Sequence, residues 1–129
     1  MMAGMQRARG RTGFKEVALA YVAFAHENPA EYRIMFGSTL ASDDDLPELQ
    51  KTSREVLTSV QRAIEGLQQA KLVGPGNSAA MAAATWAMLH GLVMLSLDGQ
   101  TDGLGLSRDE LVAETTRIIM FGLAGGGDT

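Results

Sequence analysis

The sequence has no cysteine and only two histidines. Without cysteine the chain has no disulfide, no thiolate metal ligand and no cysteine nucleophile. It also lacks a G-x-S-x-G nucleophile elbow, so nucleophilic catalysis is missing its usual parts. His26 and Glu27 are adjacent rather than one helical turn apart, which keeps them off a common helix face for metal binding. We therefore predict no catalytic residue, no metal site, no cofactor and no enzymatic activity.

Charge is also scarce, and neither sign dominates. The 129 residues carry a net charge of −4, with 20% charged and 46% hydrophobic residues, which suits one folded domain rather than a disordered chain. Nothing in this balance indicates nucleic-acid binding by the chain as a whole. The local exception is Arg7, Arg9 and Arg11, in a segment with no apolar period. We predict flexible tails at residues 1–12 and 125–129 and one domain at 13–124.

The longest stretch without any charge ends at Leu97 and extends upstream to Leu72, and its helical part is Ala79–Leu97, AAMAAATWAMLHGLVMLSL. A helix that is apolar on every side has to be covered on more than one face. Its length raises the question of a membrane span, but it is rich in alanine, contains Thr85, His90 and Ser96, and has no interfacial anchors. The N-terminus also lacks the apolar segment of a signal peptide. We predict a helix buried by protein, in a cytoplasmic protein without a membrane span.

The remaining chain predicts helices and no strand. Apolar residues recur at helical spacing, and the breaks between them carry strong local signals. Pro29 ends one helix and starts the next, Gly74-Pro75-Gly76 forms a turn, and Ser107 to Glu110 forms a capping box. The predicted helices run from about Phe14 to Asn28, Pro29 to Gly37, Pro47 to Lys71, Asn77 or Ser78 to Asp98, and Ser107 to Gly125. This is an all-α, five-helix domain, and its short connections favour antiparallel neighbours.

Three segments in a fixed order carry a family resemblance. They are AYVAFAHENPAEYRIMFG (20–37), a long helix opened by LPEL (46–49), and ATWAMLHGLVMLSLDG (84–99). Together they resemble the C-terminal domain of TetR-family transcriptional regulators. The similarity covers roughly residues 13–124. The subtype it resembles most is the WHG type, named for a Trp-x-x-x-His-Gly signature that is Trp86, His90 and Gly91 in this sequence.

The resemblance implies a helical ligand-binding core in which the last two helices pair with a second subunit as a four-helix bundle. It also implies a cavity between the first, third and fourth helices that takes a small effector. Together with the helix faces, it gives a set of candidate ligand-binding residues. They are Tyr21, Phe24, Phe36, Val60, Gln61, Ile64, Trp86 and His90.

The role of His90 has two interpretations. It lies one helical turn from Trp86 and is either a polar group aimed into a ligand cavity or a buried histidine bonded to a backbone carbonyl or a neighbouring helix. We favour the second, because buried polar groups need partners in any case. The methionines are similarly ambiguous, since they suit a cavity for varied apolar ligands but also fill gaps in cores.

A stripe of small residues on the fourth helix predicts close contact with another helix. The candidate dimer-interface residues are Ala80, Ala84, Ala87 and Gly91 on this helix and Leu111, Thr115, Ile118 and Gly122 on the fifth. A homodimer of this kind buries about 800 Å² or more per subunit. The alternative is that the five helices bury this stripe within one chain.

These observations favour the effector-binding and dimerisation domain of a TetR-type repressor, with a small apolar or aromatic effector. Family members begin with a helix-turn-helix domain. Here only about a dozen residues precede the first core helix, so we expect DNA binding only through an N-terminal domain that this chain lacks. Arg7, Arg9 and Arg11 are then either the end of a connecting helix or part of a solvated tail. The alternative function is a helical dimerisation or interaction module without a ligand.

Overall fold

The structure is a computed structural model that describes residues 2–36 and 46–125. Five α-helices make up these residues, with a short 3₁₀ turn at Asp102–Leu104 and no strand in the described ranges. The helices are α1 (Met2–Glu27), α2 (Pro29–Phe36), α3 (Leu46–Gln69), α4 (Ser78–Leu97) and α5 (Arg108–Gly125). The predicted all-α, five-helix architecture is confirmed. The predicted end of the second helix at Gly37 and residues 126–129 of the predicted tail lie outside the described residues.

The first helix begins much earlier than the sequence predicts. It starts at Met2 rather than near Phe14, so residues 2–12 are helical and do not lack secondary structure as expected. These residues have no apolar period, which removes the signal on which the prediction depended. They are nevertheless rich in Ala, Met, Gln and Arg, and such residues extend a helix that is already formed. The domain boundaries at residues 13 and 124 stay predictions.

Local chemistry explains the junction between α1 and α2. The carbonyl oxygen of Asn28 accepts a hydrogen bond from the Tyr32 amide at 2.9 Å, which starts α2, and Pro29 is its first residue. The Asn28 side-chain amide donates to the Phe24 carbonyl at 3.1 Å and satisfies an acceptor at the end of α1.

The starts of α4 and α5 follow their predicted caps. The Asn77 side chain accepts from the amides of Ala79 and Ala80, at 3.0 and 3.2 Å. The Ser107 hydroxyl oxygen accepts from the Glu110 amide at 3.0 Å, which confirms the serine part of the capping box. Upstream of α4 the chain turns through Lys71 and Gly76, both with positive φ.

The core lies on one side of α4. Ala82, Thr85, Leu89 and Val93 are its buried residues. The main cluster joins α4 to α1, α2 and α5, and a smaller one joins α3 to α4. The main cluster contains Ala18, Val22, Ala25, Tyr32, Leu89, Val93, Val112 and Ile119, and the smaller one contains Ile64, Val73 and Ala82.

The opposite side of α4 is not covered by the residues that the structure describes. Ala80, Ala84 and Ala87 are exposed, and so are Met88 and Leu95, at 44% and 53%. By length and composition α4 is apolar enough to cross a membrane, the one such helix in the described parts of the chain. Core helices of soluble proteins share this property. The described residues of one chain thus cover one side of α4, and cover of the other side by a second subunit stays a prediction.

Candidate ligand-binding site

A cavity of about 310 Å³ lies between α1, α3 and α4, the three helices among which the resemblance places one. Each helix contributes residues at helical spacing, so the lining is made of three helix faces rather than loops. The described lining residues are Phe14, Val17, Ala18, Tyr21, Glu55, Val56, Ser59, Val60, Thr85, Trp86 and Leu89. Most of them are apolar, and three are aromatic.

Three of the predicted ligand-binding residues line this cavity: Tyr21, Val60 and Trp86. Phe24 lies one turn beyond Tyr21, past the end of the cavity, and is 37% exposed. Phe36 lies behind Trp86, with the ring centroids 5.4 Å apart.

The other three predicted residues have contacts elsewhere. Gln61 donates to the Ser78 hydroxyl at 3.2 Å, where it joins α3 to the start of α4. Ile64 is buried in the smaller cluster between α3 and α4. His90 lies behind Trp86 and is bonded to α2.

The predicted set did not include the cavity-lining residues on the N-terminal side of Tyr21 and Val60. Phe14, Val17 and Ala18 precede Tyr21 on one face of α1, and Glu55 and Ser59 precede Val60 on α3. Their signal was present in the sequence, because residues three and four apart share a helix face. Extending the predicted faces by about two turns towards each N-terminus would have found them.

Four side chains form a hydrogen-bonded chain behind the cavity wall. Trp86 Nε1 donates to the Tyr21 hydroxyl at 2.8 Å. The Tyr21 and Tyr32 hydroxyls lie 2.6 Å apart, and the Tyr32 hydroxyl lies 2.6 Å from His90 Nδ1. The chain thereby ties α1, α2 and α4 together through groups that are far apart in the sequence.

Donor counting fixes one end of this chain. Trp86 only donates, so the Tyr21 oxygen accepts from it. The two other bonds are compatible with either direction, because a neutral imidazole carries its proton on Nδ1 or on Nε2. Tyr32 donates to His90 Nδ1 in one tautomer and accepts from it in the other.

Burial keeps the chain uncharged. It lowers the pKa of His90, which favours the neutral imidazole. It also raises the pKa of Tyr32 and of Tyr21, so both phenols keep their protons at neutral pH. The structure thus gives His90 a bond to a neighbouring helix, the role we favoured from the sequence.

Two further contacts fix the far end of α4. The Ser96 hydroxyl donates to the Val93 carbonyl at 3.0 Å and therefore accepts from His26 Nε2 at 2.8 Å. Arg33 pairs with Asp98 at 2.7 Å, between α2 and the end of α4. Burial, and secondarily the charge of Arg108, lowers the pKa of His26. In the part of the chain that the structure describes, no group of three His, Asp or Glu side chains is placed to hold a metal ion.

Comparison with known families connects this arrangement to a class of proteins. The chain matches the family described as "Tetracyclin repressor-like, C-terminal domain" over residues 14–119. The chain belongs to this family. Tetracycline-repressor-like C-terminal domains are, in general, effector-binding and dimerisation domains of transcriptional regulators. These regulators are soluble, generally cytoplasmic and generally not enzymes.

The match extends over everything that builds the site. It begins at Phe14, the first cavity residue on α1, and ends at Ile119 in α5. Within this tetracycline-repressor-like domain, Trp86 and His90 occupy the two ends of the hydrogen-bonded chain. The family match does not specify the WHG subtype, which stays a prediction. Comparison with curated proteins and with solved structures gave no match for this chain.

Proposed function

We propose that this chain is the effector-binding and dimerisation part of a small-molecule-responsive TetR-type repressor. The observation that carries the proposal is the cavity between α1, α3 and α4. Its volume of about 310 Å³ reaches the size of known small-molecule sites, which begin at about 300 Å³. Its apolar and aromatic walls favour a small apolar or aromatic effector.

The hydrogen-bonded chain supports a signalling role for this cavity. Trp86 and Tyr21 line the cavity and bond to each other, and Tyr21 bonds to Tyr32 of α2. A ligand that moves either ring therefore disturbs the contact between α2 and the rest of the domain. In a full regulator, an effector shifts the balance between two states only through different affinities for them.

The uncovered side of α4 supports dimerisation. Ile118 and Phe121 of α5 are also exposed, at 52% and 80%, so both helices of the proposed interface present apolar surface. A Cβ atom added at Gly91 or Gly122 would meet nothing within 4 Å in the single chain. Packing inside one chain therefore does not explain these two glycines, whereas close approach by a second subunit does.

A thermal-shift screen with a matched pair of variants tests the effector site. Ligands that bind the native state raise its stability, so a cavity ligand raises the melting temperature. Ser59→Phe fills the cavity from its rim and should abolish the shift. Thr58→Phe places the same ring on an exposed, neighbouring position outside the lining and should preserve it.

Two results would contradict the proposal. One is the absence of any shift across a broad panel of apolar, aromatic, cationic and anionic compounds. The other is a shift that Ser59→Phe leaves intact. A dimer that forms without any ligand response would favour the alternative function, a helical interaction module, which the exposed face of α4 also supports.

A further inference from the structure

The charges around the cavity indicate the chemical class of its ligand. We propose that the effector is a protonated organic amine with an apolar body, whose ammonium group binds at Glu55 and whose body lies against the aromatic wall. This inference rests on the proposed function, since it specifies the ligand of the same cavity.

Glu55 gives the cavity its negative charge. It is the one charged side chain among the described residues that line the cavity, and it is exposed to solvent. A cation beside this exposed carboxylate keeps part of its hydration and gains the attraction of an opposite charge. A carboxylate ligand in the same position would instead meet a like charge.

The aromatic residues of the lining also favour a positively charged ligand. Phe14, Tyr21 and Trp86 all contribute to the wall. The face of an aromatic ring attracts cations, and tryptophan does so most strongly. Among the described lining residues, therefore, both the formal charge and the aromatic content favour a positive ligand.

Glu55 also indicates that the ligand is a hydrogen-bond donor. Its carboxylate only accepts hydrogen bonds, and it belongs to the described lining of the cavity. An ammonium group with N–H donors therefore suits this site better than a quaternary one.

A second concavity provides an internal contrast. A groove of about 290 Å³ lies between α1 and α5, and its described charged lining residues are Lys15 and Arg117. Lys15 and Tyr21 thus lie on different sides of α1. Lys15 lines the basic groove, and Tyr21 lines the acidic cavity. The two concavities beside α1 differ in sign, so an amine and a carboxylate of the same shape should not compete for one site.

The test uses three compounds of one shape and different charge: phenylbutylamine, phenylbutanol and phenylbutyrate. Titration calorimetry at pH 7 should show the amine binding about fivefold tighter than the alcohol, the size expected from an exposed ion pair with a ring contact. The carboxylate should bind more weakly than the alcohol. Raising the salt concentration should weaken binding of the amine and leave binding of the alcohol unchanged.

Glu55→Gln should bring the affinity of the amine down to that of the alcohol. Glu16→Gln removes the same charge from an exposed position of α1 outside the cavity lining and should preserve the preference. Equal binding of amine and alcohol, tighter binding of the carboxylate, or a preference that survives Glu55→Gln would overturn the inference and leave the proposed function standing. Failure of all three compounds, together with a negative thermal-shift screen, would overturn both.

Discussion

The two sides of α4 are equally free of charge in the sequence and very different in the structure. One side carries Thr85, Trp86 and Leu89, which line the cavity, and His90 beside them. The other side carries alanines together with Met88 and Leu95, and it is exposed. An uncharged helix face thus has two origins, a packed wall or an unfilled contact surface.

The difference lies in how the two sides handle polar atoms. On the inner side, the polar groups of Trp86 and His90 are both paired, through Tyr21 and Tyr32. Among the described side chains, no buried nitrogen or oxygen lacks a hydrogen-bond partner. The outer side simply has few polar atoms. Polar groups on an apolar helix therefore mark the side that its own chain covers, because pairing there is obligatory.

The largest loss of stability should come from a substitution of Tyr32, which packs against the inner side of α4. This side chain is fully buried and carries the middle of the hydrogen-bonded chain. Tyr32→Ala should lower the free energy of unfolding by about 3–5 kcal/mol, because it leaves a cavity in the core. Urea titration followed by circular dichroism measures this loss.

Tyr32→Phe separates packing from hydrogen bonding. It keeps the ring but leaves the Tyr21 hydroxyl and His90 Nδ1 without their partner, at a cost of about 1–3 kcal/mol. A phenylalanine variant as stable as the wild type would show that the hydrogen-bonded chain contributes nothing to the inner side.

The next largest effect should appear on the outer side, at Ala84. In the proposed dimer, Ala84→Glu buries two unpaired carboxylates at the interface. The dimer should weaken by about tenfold or more, since 1.4 kcal/mol already gives a factor of ten. Sedimentation velocity over a range of concentrations measures it.

Ala79→Glu is the matched control for Ala84→Glu, because it places the same charge at an exposed position of α4 outside the small-residue stripe. A wild-type chain that stays monomeric at high micromolar concentration would contradict a dimer contact on the outer side of α4. An equal response of both variants would mean that the stripe is not the contact.

The smallest effect is a pH dependence that belongs to the inner side. The pKa of His90 lies below its ordinary value of about 6.5 because of burial, so between the two values the unfolded chain binds more protons than the folded one. Stability is therefore full above about pH 6.5 and falls as the pH drops below it. His26 acts in the same direction.

His90→Asn tests this dependence, because an asparagine oxygen can accept from Tyr32 without titrating. The free energy of unfolding between pH 7.5 and pH 5 should fall less steeply in this variant, and His26→Asn should remove the other part. An unchanged slope in the His90 variant would show that His90 has the same proton affinity in both states.

Local signals predicted most of the fold. The breaks at Pro29 and Asn77 and the cap at Ser107 each depend on a few neighbouring residues, and all three lie where they were expected. The start of α1 was missed because residues 2–12 carry helix propensity without periodicity. Helix propensity without periodicity does not predict a helix by itself, but it allows a helix that is already packed to continue through such residues.

The site was predictable in position but not in its bonding. Helix faces and the resemblance found Tyr21, Val60 and Trp86, but no local pattern pairs Tyr32 with His90, which is 58 residues away. That contact depends on how α2 packs against α4. The same holds for His26 and Ser96, 70 residues apart. Gln61 and Ile64 take part in the α3–α4 contact, which the sequence pattern did not indicate.

The place of Trp86 gives the protein a built-in optical probe. It is the chain's single tryptophan, it lines the cavity, and its indole N–H bonds to Tyr21. Indole emission depends on nearby polarity and hydrogen bonding, so the fluorescence of the unlabelled protein comes from the wall of the candidate site. Any molecule that enters the cavity should change that emission, and the cavity can be titrated without a dye, a tag or a substitution.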